Sequence, residues 1–381
     1  MSILDDDLLV RIHDRAAGYD RDNTFFAEDL EDLKAAGYLR ALVPVELGGL
    51  GLSLLELAHE QVRLAAVAPA TALAVNMHLV WTGIAKTLRD RGDYSLEFVL
   101  GEAAAGEIFA FGISEAGNDL VLFGSTTDAH PGHDGSYAFT GTKIFTSLSP
   151  VWTRLGLFGL DTESADAPKL VHAFVTRDAP GVTTLPDWDT IGMRASQSNS
   201  TRLDGALAPA DRVFRRLDPG PSADPLIFAI FANFEILVSA VYVGLGQRAL
   251  ELAAASARGR TSARTGTTKD LDPNTRWKIA DAALAQDALL PQLDALAADV
   301  DGLVDRGTQW FRALVGLKSR ATRTARYVVD QAVAVAGGAA FSSSSELGRL
   351  YRDVLAGGFH PSNEDSVHAT VATALLGPIP E

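Results

Sequence analysis

Few residues of this chain could carry chemistry, and cysteine is not among them. The 381 residues include no cysteine, which excludes disulfides, thiol nucleophiles and thiolate metal sites. His130 and His133 flank a Pro-Gly turn, but no third ligand stands nearby in sequence. This pair therefore indicates a surface turn rather than a metal centre, and we expect no bound metal. The chain also lacks a Gly-x-Ser-x-Gly nucleophile elbow and a phosphate-binding P-loop.

Composition and charge narrow the class of protein. Thirty-three basic and 48 acidic residues give a net charge of −15, and an acidic surface repels polyphosphate, so we expect no nucleic-acid partner. The first seven residues are acidic and lack the basic and apolar regions of an export signal. No apolar run approaches the roughly 18 residues that span a bilayer. These features predict a soluble cytoplasmic protein with no membrane contact.

The first part of the chain, residues 1–105, has the pattern of a helical domain. Residues 29–37 predict a short amphipathic helix that stops at glycine. Residues 54–64 resume helical spacing. Residues 65–88 are apolar almost all round except at Asn76 and His78, which is typical of a helix buried in a bundle.

The pattern changes near residue 106, where short segments rich in β-branched and aromatic residues alternate with turn signals. This spacing predicts an antiparallel barrel over 106–217, because strict alternation of strand and helix is missing. The predicted strands are 108–113, 137–146, 155–160, 170–176, 182–185 and 200–207.

A Pro- and Gly-rich linker at 218–225 leads to long alanine-rich helices. We predict helices at 226–260, 274–304 and 309–336 within a C-terminal domain of 226–381. Long helices with short connections indicate an antiparallel four-helix bundle. The expected fold is therefore a multi-domain α+β protein with an N-terminal helical domain, a central antiparallel β-barrel and a C-terminal four-helix bundle.

Four segments in this order resemble motifs of the acyl-CoA dehydrogenase family. Residues 111–119 (FGISEAGND) are similar to its "T-E-P-G-x-G-S-D" segment, and 140–147 (TGTKIFTS) to its "G-x-K-x-W/F" strand. Residues 191–196 (IGMRAS) are similar to "L-G-x-R-x-S". Residues 337–341 (GGAAF) followed by 350–353 (LYRD) are similar to "G-G-x-G-F" and "R-D". Each motif is weak alone, but all four follow the family's order and spacing over the whole chain.

The resemblance implies a flavin, FAD above all, with reduced FMN or FAD as a diffusible co-substrate as the alternative. A flavin needs an apolar wall and polar groups along its edges. The family motifs place Phe145 as that wall, and they place the remaining flavin contacts at Phe111, Ile113, Ser114, Thr146 and Ser147. Arg260, at the end of the first bundle helix, corresponds to an arginine that reaches the diphosphate of a neighbouring subunit's flavin. Gly337 and Gly338 correspond to a close backbone approach to the same cofactor.

The chain departs from the family where the dehydrogenases keep their carboxylate base. In the family this base follows the "R-D" arginine by nine residues, and counting nine residues on from Arg352 gives Pro361. His360 could replace the base, because imidazole titrates near neutral pH. Glu364 is a second candidate, although it reads as a solvated acid at a helix start. The third possibility is that the enzyme removes no α-proton.

The substrate side departs as well. Glu235 stands where the family often has an arginine that touches CoA, and a carboxylate would repel CoA phosphates. Ala263 and Ala334 replace an aromatic residue and a glutamine expected near the adenine. Such losses point to the family's flavin-dependent monooxygenase branch. The resemblance to that branch implies a dry pocket and a hydrogen-bond donor near the peroxide that forms on the flavin. His78 and His360 are the candidates for that donor, unless His78 is a core histidine bonded to the backbone.

Three functions therefore stay open. The first is a flavin-dependent acyl-CoA dehydrogenase-like oxidoreductase without the usual glutamate, acting with an electron-transfer flavoprotein. The second is a two-component monooxygenase or oxidase of a non-CoA small molecule, supplied by a flavin reductase. The third is an inactive flavin-binding or assembly module. The family also implies a homotetramer built as paired dimers.

Overall fold

Helices occupy both ends of the chain and strands the middle in the computed structural model, which describes residues 2–377 and 379. Five helices precede the strands: α1 (Asp6–Asp22), α2 (Ala27–Ala35), α3 (Leu54–Val67), α4 (Pro69–Asp90) and α5 (Glu97–Ala104). Six follow them: α6 (Pro225–Gly259), α7 (Pro273–Asp287), α8 (Leu290–Asp301), α9 (Gln309–Ala336), α10 (Glu346–Asp353) and α11 (Glu364–Leu376).

Local sequence explains where several of these helices start and stop. Gly37, with φ of 78°, follows α2 in a conformation that glycine adopts without strain. Ser53 and Glu56 form a capping box at the start of α3. The carboxylate of Asp301, at the end of α8, accepts from the N–H groups of Leu54 and Leu55. The N-terminal helices are thereby joined to the C-terminal bundle, where α3 and α4 pack against α6.

The central strands form one hydrogen-bonded sheet. They are β1 (Phe109–Gly112), β2 (Asp128–Pro131), β3 (Tyr137–Lys143), β4 (Arg154–Asp161), β5 (Lys169–Thr176), β6 (Val182–Thr184), β7 (Thr201–Ala208) and β8 (Val213–Leu217). The order is β6-β7-β3-β2-β4-β5-β8, with β1 beside β4. The pairings are antiparallel except those of β4 with β1 and with β2.

The expected fold class is confirmed, and the sheet corrects it in detail. The sequence predicted an all-antiparallel barrel, whereas two pairings are parallel and no hydrogen bonds join β6 to β8 among the described strands. Strands β2 and β8 were not predicted. Both are short, and β8 (VFRRL) has two consecutive arginines that hide the alternation of a strand. The boundaries of the three predicted domains stay a prediction.

The bundle consists of α6, α7, α8 and α9, and the long helix predicted over 274–304 is in fact two helices. Pro291 lies in the first turn of α8, where its missing N–H is not needed, so the chain breaks just before it. Helix α6 is long and apolar enough to cross a membrane, which corrects the expectation that no such run exists. However, 89% of its most apolar 18-residue window is buried inside the protein, as expected for the core helix of a bundle.

Candidate functional site

A small apolar pocket lies where the sheet meets the C-terminal helices. Its cavity volume is about 30 Å³, enough for a water molecule. Phe111 stacks on Phe234 across this boundary, with ring centroids 5.7 Å apart and planes inclined by 23°. The residues that line the pocket are Phe111, Ile113, Val121 and Leu122 on the sheet side, Ile230, Phe231, Phe234 and Glu235 on α6, and Pro361 and Ser362 in the loop before α11.

Glu235 is the one charged residue in this apolar lining. Its side chain is buried, and the hydroxyl of Ser362 donates to Oε1 at 2.7 Å. The other carboxylate oxygen, Oε2, has no hydrogen-bond partner. Burial raises the pKa of Glu235 to about 7, against the opposing effects of Ser362 and Lys318. The pocket thus contains a buried carboxylate with an unused acceptor and a raised pKa.

Lys318, on α9, fixes the loop that carries Pro361 and Ser362. Its ammonium donates to the carbonyls of Gly357, His360 and Ser362 at 3.0, 3.0 and 2.8 Å. Burial lowers the pKa of Lys318 to about 8, and the nearby Glu235 carboxylate opposes this shift. Because an ammonium has three N–H groups, all of them are used within the 357–362 loop.

His360 does not have the properties predicted for a general base. The hydroxyl of Tyr242 lies 2.8 Å from Nε2, and burial together with Lys318 lowers the pKa of His360 to about 3. The imidazole is therefore neutral at physiological pH rather than titrating there, and it is not among the residues that line the apolar pocket. The sequence could not show that the His360 ring is partly buried beside Lys318, which lowers its pKa. Its part in catalysis stays a prediction.

His78 is corrected more fully. It is completely buried on α4, where Nε2 lies 2.6 Å from the carbonyl of Leu39 and Nδ1 accepts from the N–H of Phe109 at 3.1 Å. Burial lowers the pKa of His78 to about 4. Since both ring nitrogens bond to the backbone, His78 is a structural core histidine and not the predicted substrate contact.

Glu364 also lies away from the apolar pocket. It is exposed in the first turn of α11, where a carboxylate favours the helix N-terminus. It lines a second cavity of about 100 Å³, here called the outer cavity, which shares Ser362 with the apolar pocket. The outer cavity is lined by Lys318, Ser319, Thr322, Arg323, Arg326, Val354, Leu355, Gly357, Gly358, Ser362 and Glu364.

The segment predicted to contact a flavin combines an exposed ring with buried hydroxyls. Phe145 is 50% exposed and has φ of 57°. Thr146 is fully buried, and its Oγ1 has no hydrogen-bond partner. Ser147 Oγ lies 2.7 Å from Ser198 Oγ, which is 2.8 Å from Ser196 Oγ. An exposed aromatic face beside a spare hydroxyl fits a flat heterocycle with polar edges.

The two segments predicted to contact the flavin, 111–114 and 143–147, are joined by a buried ion pair. The sequence did not reveal this pair. Lys143 Nζ donates to Glu115 Oε1 at 2.5 Å, and both side chains are buried. Burial alone would raise the pKa of Glu115, but Lys143 and hydrogen bonds from neighbouring groups lower it to about 2. The backbone carbonyl of half-buried Ser114 accepts a hydrogen bond from the N–H of Ile144 at 2.9 Å. These bonds set 111–114 beside 143–147, and the only sequence signal was that both partners stand inside the quoted motifs.

Arg260 and the glycine pair meet at the end of α9. The guanidinium of Arg260 donates to the carbonyl of Ala336, the last residue of that helix. Gly337 follows with φ of 62°, and a Cβ built on it would lie 3.4 Å from Arg260. A Cβ on Gly338 would meet open space. Arg260 therefore lies beside the glycine pair, and the contact of these residues with a cofactor stays a prediction.

Comparison with known proteins adds a family and several relatives. The model "Acyl-CoA dehydrogenase, N-terminal domain" matches residues 9–90, and "Acyl-CoA dehydrogenase, C-terminal domain" matches 236–364. The chain is 30% identical over 359 residues to L-evernosamine nitrososynthase from a Micromonospora species, covering 92% of this chain and 84% of that protein. It is 32% identical over 358 residues to the amino sugar nitrososynthase DnmZ of Streptomyces peucetius, covering 90% and 85%.

Solved structures agree with these matches. The structure of KijD3 with FMN and dTDP-3-amino-2,3,6-trideoxy-4-keto-3-methyl-D-glucose is 29% identical, with a TM-score of 0.83. The superposition covers 98% of this chain and 93% of that one. The similarity extends over nearly the full length of both proteins.

Proposed function

The chain belongs to the acyl-CoA dehydrogenase family, and on that premise we propose that it is a flavin-dependent monooxygenase that oxidises an amine nitrogen of a small molecule not linked to coenzyme A. The observation that carries the proposal is the lining of the apolar pocket. Pro361 stands at the position counted for the dehydrogenase base, and Glu235 stands where an arginine would face CoA. This arrangement supports oxygenation better than removal of an α-proton beside a thioester. The relatives named nitrososynthases favour the same choice.

The flavin-side residues fit the cofactor that this reaction needs. We propose that Phe145, Thr146 and Ser147 hold the isoalloxazine ring with Ser114 beside them, and that Arg260, Gly337 and Gly338 approach the phosphate of the flavin held by a neighbouring subunit. Reduced FMN or FAD, when bound there, supplies the two electrons that let one atom of O₂ reach the substrate while the other leaves as water. The balance is amine, O₂ and reduced flavin giving hydroxylamine, water and oxidised flavin.

The chain's own residues set the surroundings of that reaction. Phe111, Ile113 and Phe234 form an apolar lining that excludes water from the reacting nitrogen. Lys318 holds the 357–362 loop, so Pro361 and Ser362 close the pocket on its bundle side. His360 supports the loop through its hydrogen bond with the hydroxyl of Tyr242.

The test compares the three functions directly. Purified protein is incubated with a flavin reductase, NADH, FMN or FAD, a panel of amines and isotopically labelled O₂, and products are read by mass spectrometry. We expect labelled oxygen in an N-oxidised product that requires the reductase. Bleaching of bound flavin by acyl-CoA substrates without O₂, with no labelled product, would instead identify a dehydrogenase. Absence of both flavin binding and turnover would leave only the inactive module.

A further inference from the structure

One oxygen atom of the apolar pocket lacks a hydrogen-bond partner. Glu235 is 1% exposed, and its Oε2 accepts no hydrogen bond, although Oε1 accepts from Ser362. Buried polar atoms are normally paired, and each exception calls for an explanation. The nearest cation, Lys318, donates all three of its N–H groups to loop carbonyls and none to Glu235. Oε2 is therefore free to accept a hydrogen bond from a molecule bound in the pocket.

The chemistry of that donor follows from its surroundings. Apart from Ser362, the pocket around Glu235 is lined by apolar side chains. A buried carboxylate gains most from a cationic donor, because the ion pair compensates both partners for the loss of water. A protonated amine on an apolar group satisfies both the carboxylate and the lining. An anionic group such as a CoA phosphate or a carboxylate would be repelled.

A proton taken up by Glu235 has a path to solvent. Ser362 donates to Glu235 Oε1 and lines both the apolar pocket and the outer cavity. The outer cavity is bordered by the exposed side chains of Arg323, Arg326 and Glu364. A hydroxyl between a titrating carboxylate and a solvated cavity can relay a proton, since it is both donor and acceptor.

We propose that Glu235 is the catalytic residue that binds the substrate's ammonium group through Oε2 and takes one proton from it. The step converts R–NH₃⁺ and the Glu235 carboxylate into R–NH₂ and the Glu235 carboxylic acid, which then loses its proton through Ser362. The neutral amine keeps a free electron pair at nitrogen, and this pair forms the N–O bond. The inference rests on the proposed function and names its substrate class, a primary amine carried on an apolar group.

Binding without turnover tests the proposal. Butylamine and butanol have the same size, but only the amine is cationic, and each is titrated calorimetrically into the full-length protein with and without oxidised FMN. We expect wild type to bind butylamine more tightly than butanol. Glu235→Gln should lower the affinity for butylamine by about tenfold or more, while the affinity for butanol changes less than about twofold. The matched control is Glu251→Gln, which removes an exposed carboxylate from the same helix α6.

The outcomes separate this proposal from the proposed function. Equal butylamine affinity in wild type and Glu235→Gln would overturn the role of Glu235, even if amines are oxidised. Glu235-dependent butylamine binding without oxidation of any amine would uphold the docking role and refute the monooxygenase. If Glu235→Gln does not fold, the wild-type comparison decides, because equal affinity for butylamine and butanol would also overturn the proposal.

Discussion

Replacing Lys318 by methionine removes the cation that fixes the 357–362 loop while keeping a buried side chain of similar length. Three backbone carbonyls then lose their donor. A hydrogen bond from a charged donor contributes roughly 1.5–3 kcal/mol. The cost of burying the ammonium offsets several kcal/mol of the sum over the three bonds. We therefore expect the free energy of unfolding to fall by about 3 kcal/mol.

The same substitution changes the charge of Glu235. Lys318 lowers the pKa of Glu235, so its removal raises that pKa further above about 7. Glu235 then stays protonated at neutral pH, and butylamine binding weakens although Glu235 is intact. At a pH above the raised value the carboxylate ionises, and the affinity should recover in part.

The assay combines urea unfolding, hydrogen exchange of the loop amides and butylamine titration. Lys278→Met is the matched control, because Lys278 is exposed on α7. We expect the 357–362 amides to exchange at least about tenfold faster in Lys318→Met, with little change in the control. Equal unfolding free energies and equal loop protection in the two variants would refute the role assigned to Lys318.

Three further predictions concern other parts of the molecule. The pKa of Glu115 is lowered from an ordinary 4.5 to about 2, so ionised Glu115 adds to the free energy of unfolding above pH 4.5, and this contribution is lost as the pH falls toward 2. In Lys143→Met the free energy of unfolding in urea should depend less on pH over this range. Parallel pH curves for wild type and variant would contradict the prediction. Thr146→Val should weaken flavin affinity several-fold but leave the thermal midpoint of the flavin-free protein unchanged or raised, because Oγ1 has no partner; equal affinity in a flavin titration would remove Thr146 from the site. Trp277 and Leu284 lie seven residues apart on α7 and are each 72% exposed, so we propose that this face belongs to an interface of the predicted homotetramer. Trp277→Asp should then reduce the number of chains per particle in light scattering, and an unchanged mass would exclude this face from any such interface.

Much of the fold could be predicted from local sequence. Helix α9 was predicted with its observed bounds, because its amphipathic pattern ends at Gly337. The break between α7 and α8 was missed, since a proline in the first turn of a helix does not disturb helical spacing. The two parallel pairings of β4 depend on contacts distant in the chain, which alternation along a strand cannot reveal.

The site was predictable only where it follows motifs. Phe111 and Ile113, predicted to contact the flavin, line the apolar pocket, and their contact with a flavin stays a prediction. The cluster of Glu235, Lys318 and Ser362 was not foreseen as a unit, since Glu235 and Ser362 are 127 residues apart and no local pattern links them. For His78 the sequence left open both a hydrogen-bond donor and a core histidine, and the structure favours the core histidine. A polar ring on an apolar helix suggests a pocket, but its partners are backbone groups far along the chain, at Leu39 and Phe109.

The central claim is that a flavin ring lies against Phe145, Thr146 and Ser147 while a substrate amine occupies the apolar pocket beside Glu235. A crystal structure of the protein soaked with FMN and butylamine tests this most directly. The account predicts the ring against Phe145, Thr146 and Ser147, with the amine nitrogen within hydrogen-bond distance of Glu235 Oε2. Electron density showing the apolar pocket filled by the protein's own side chains, with FMN and the amine absent or bound elsewhere, would contradict it.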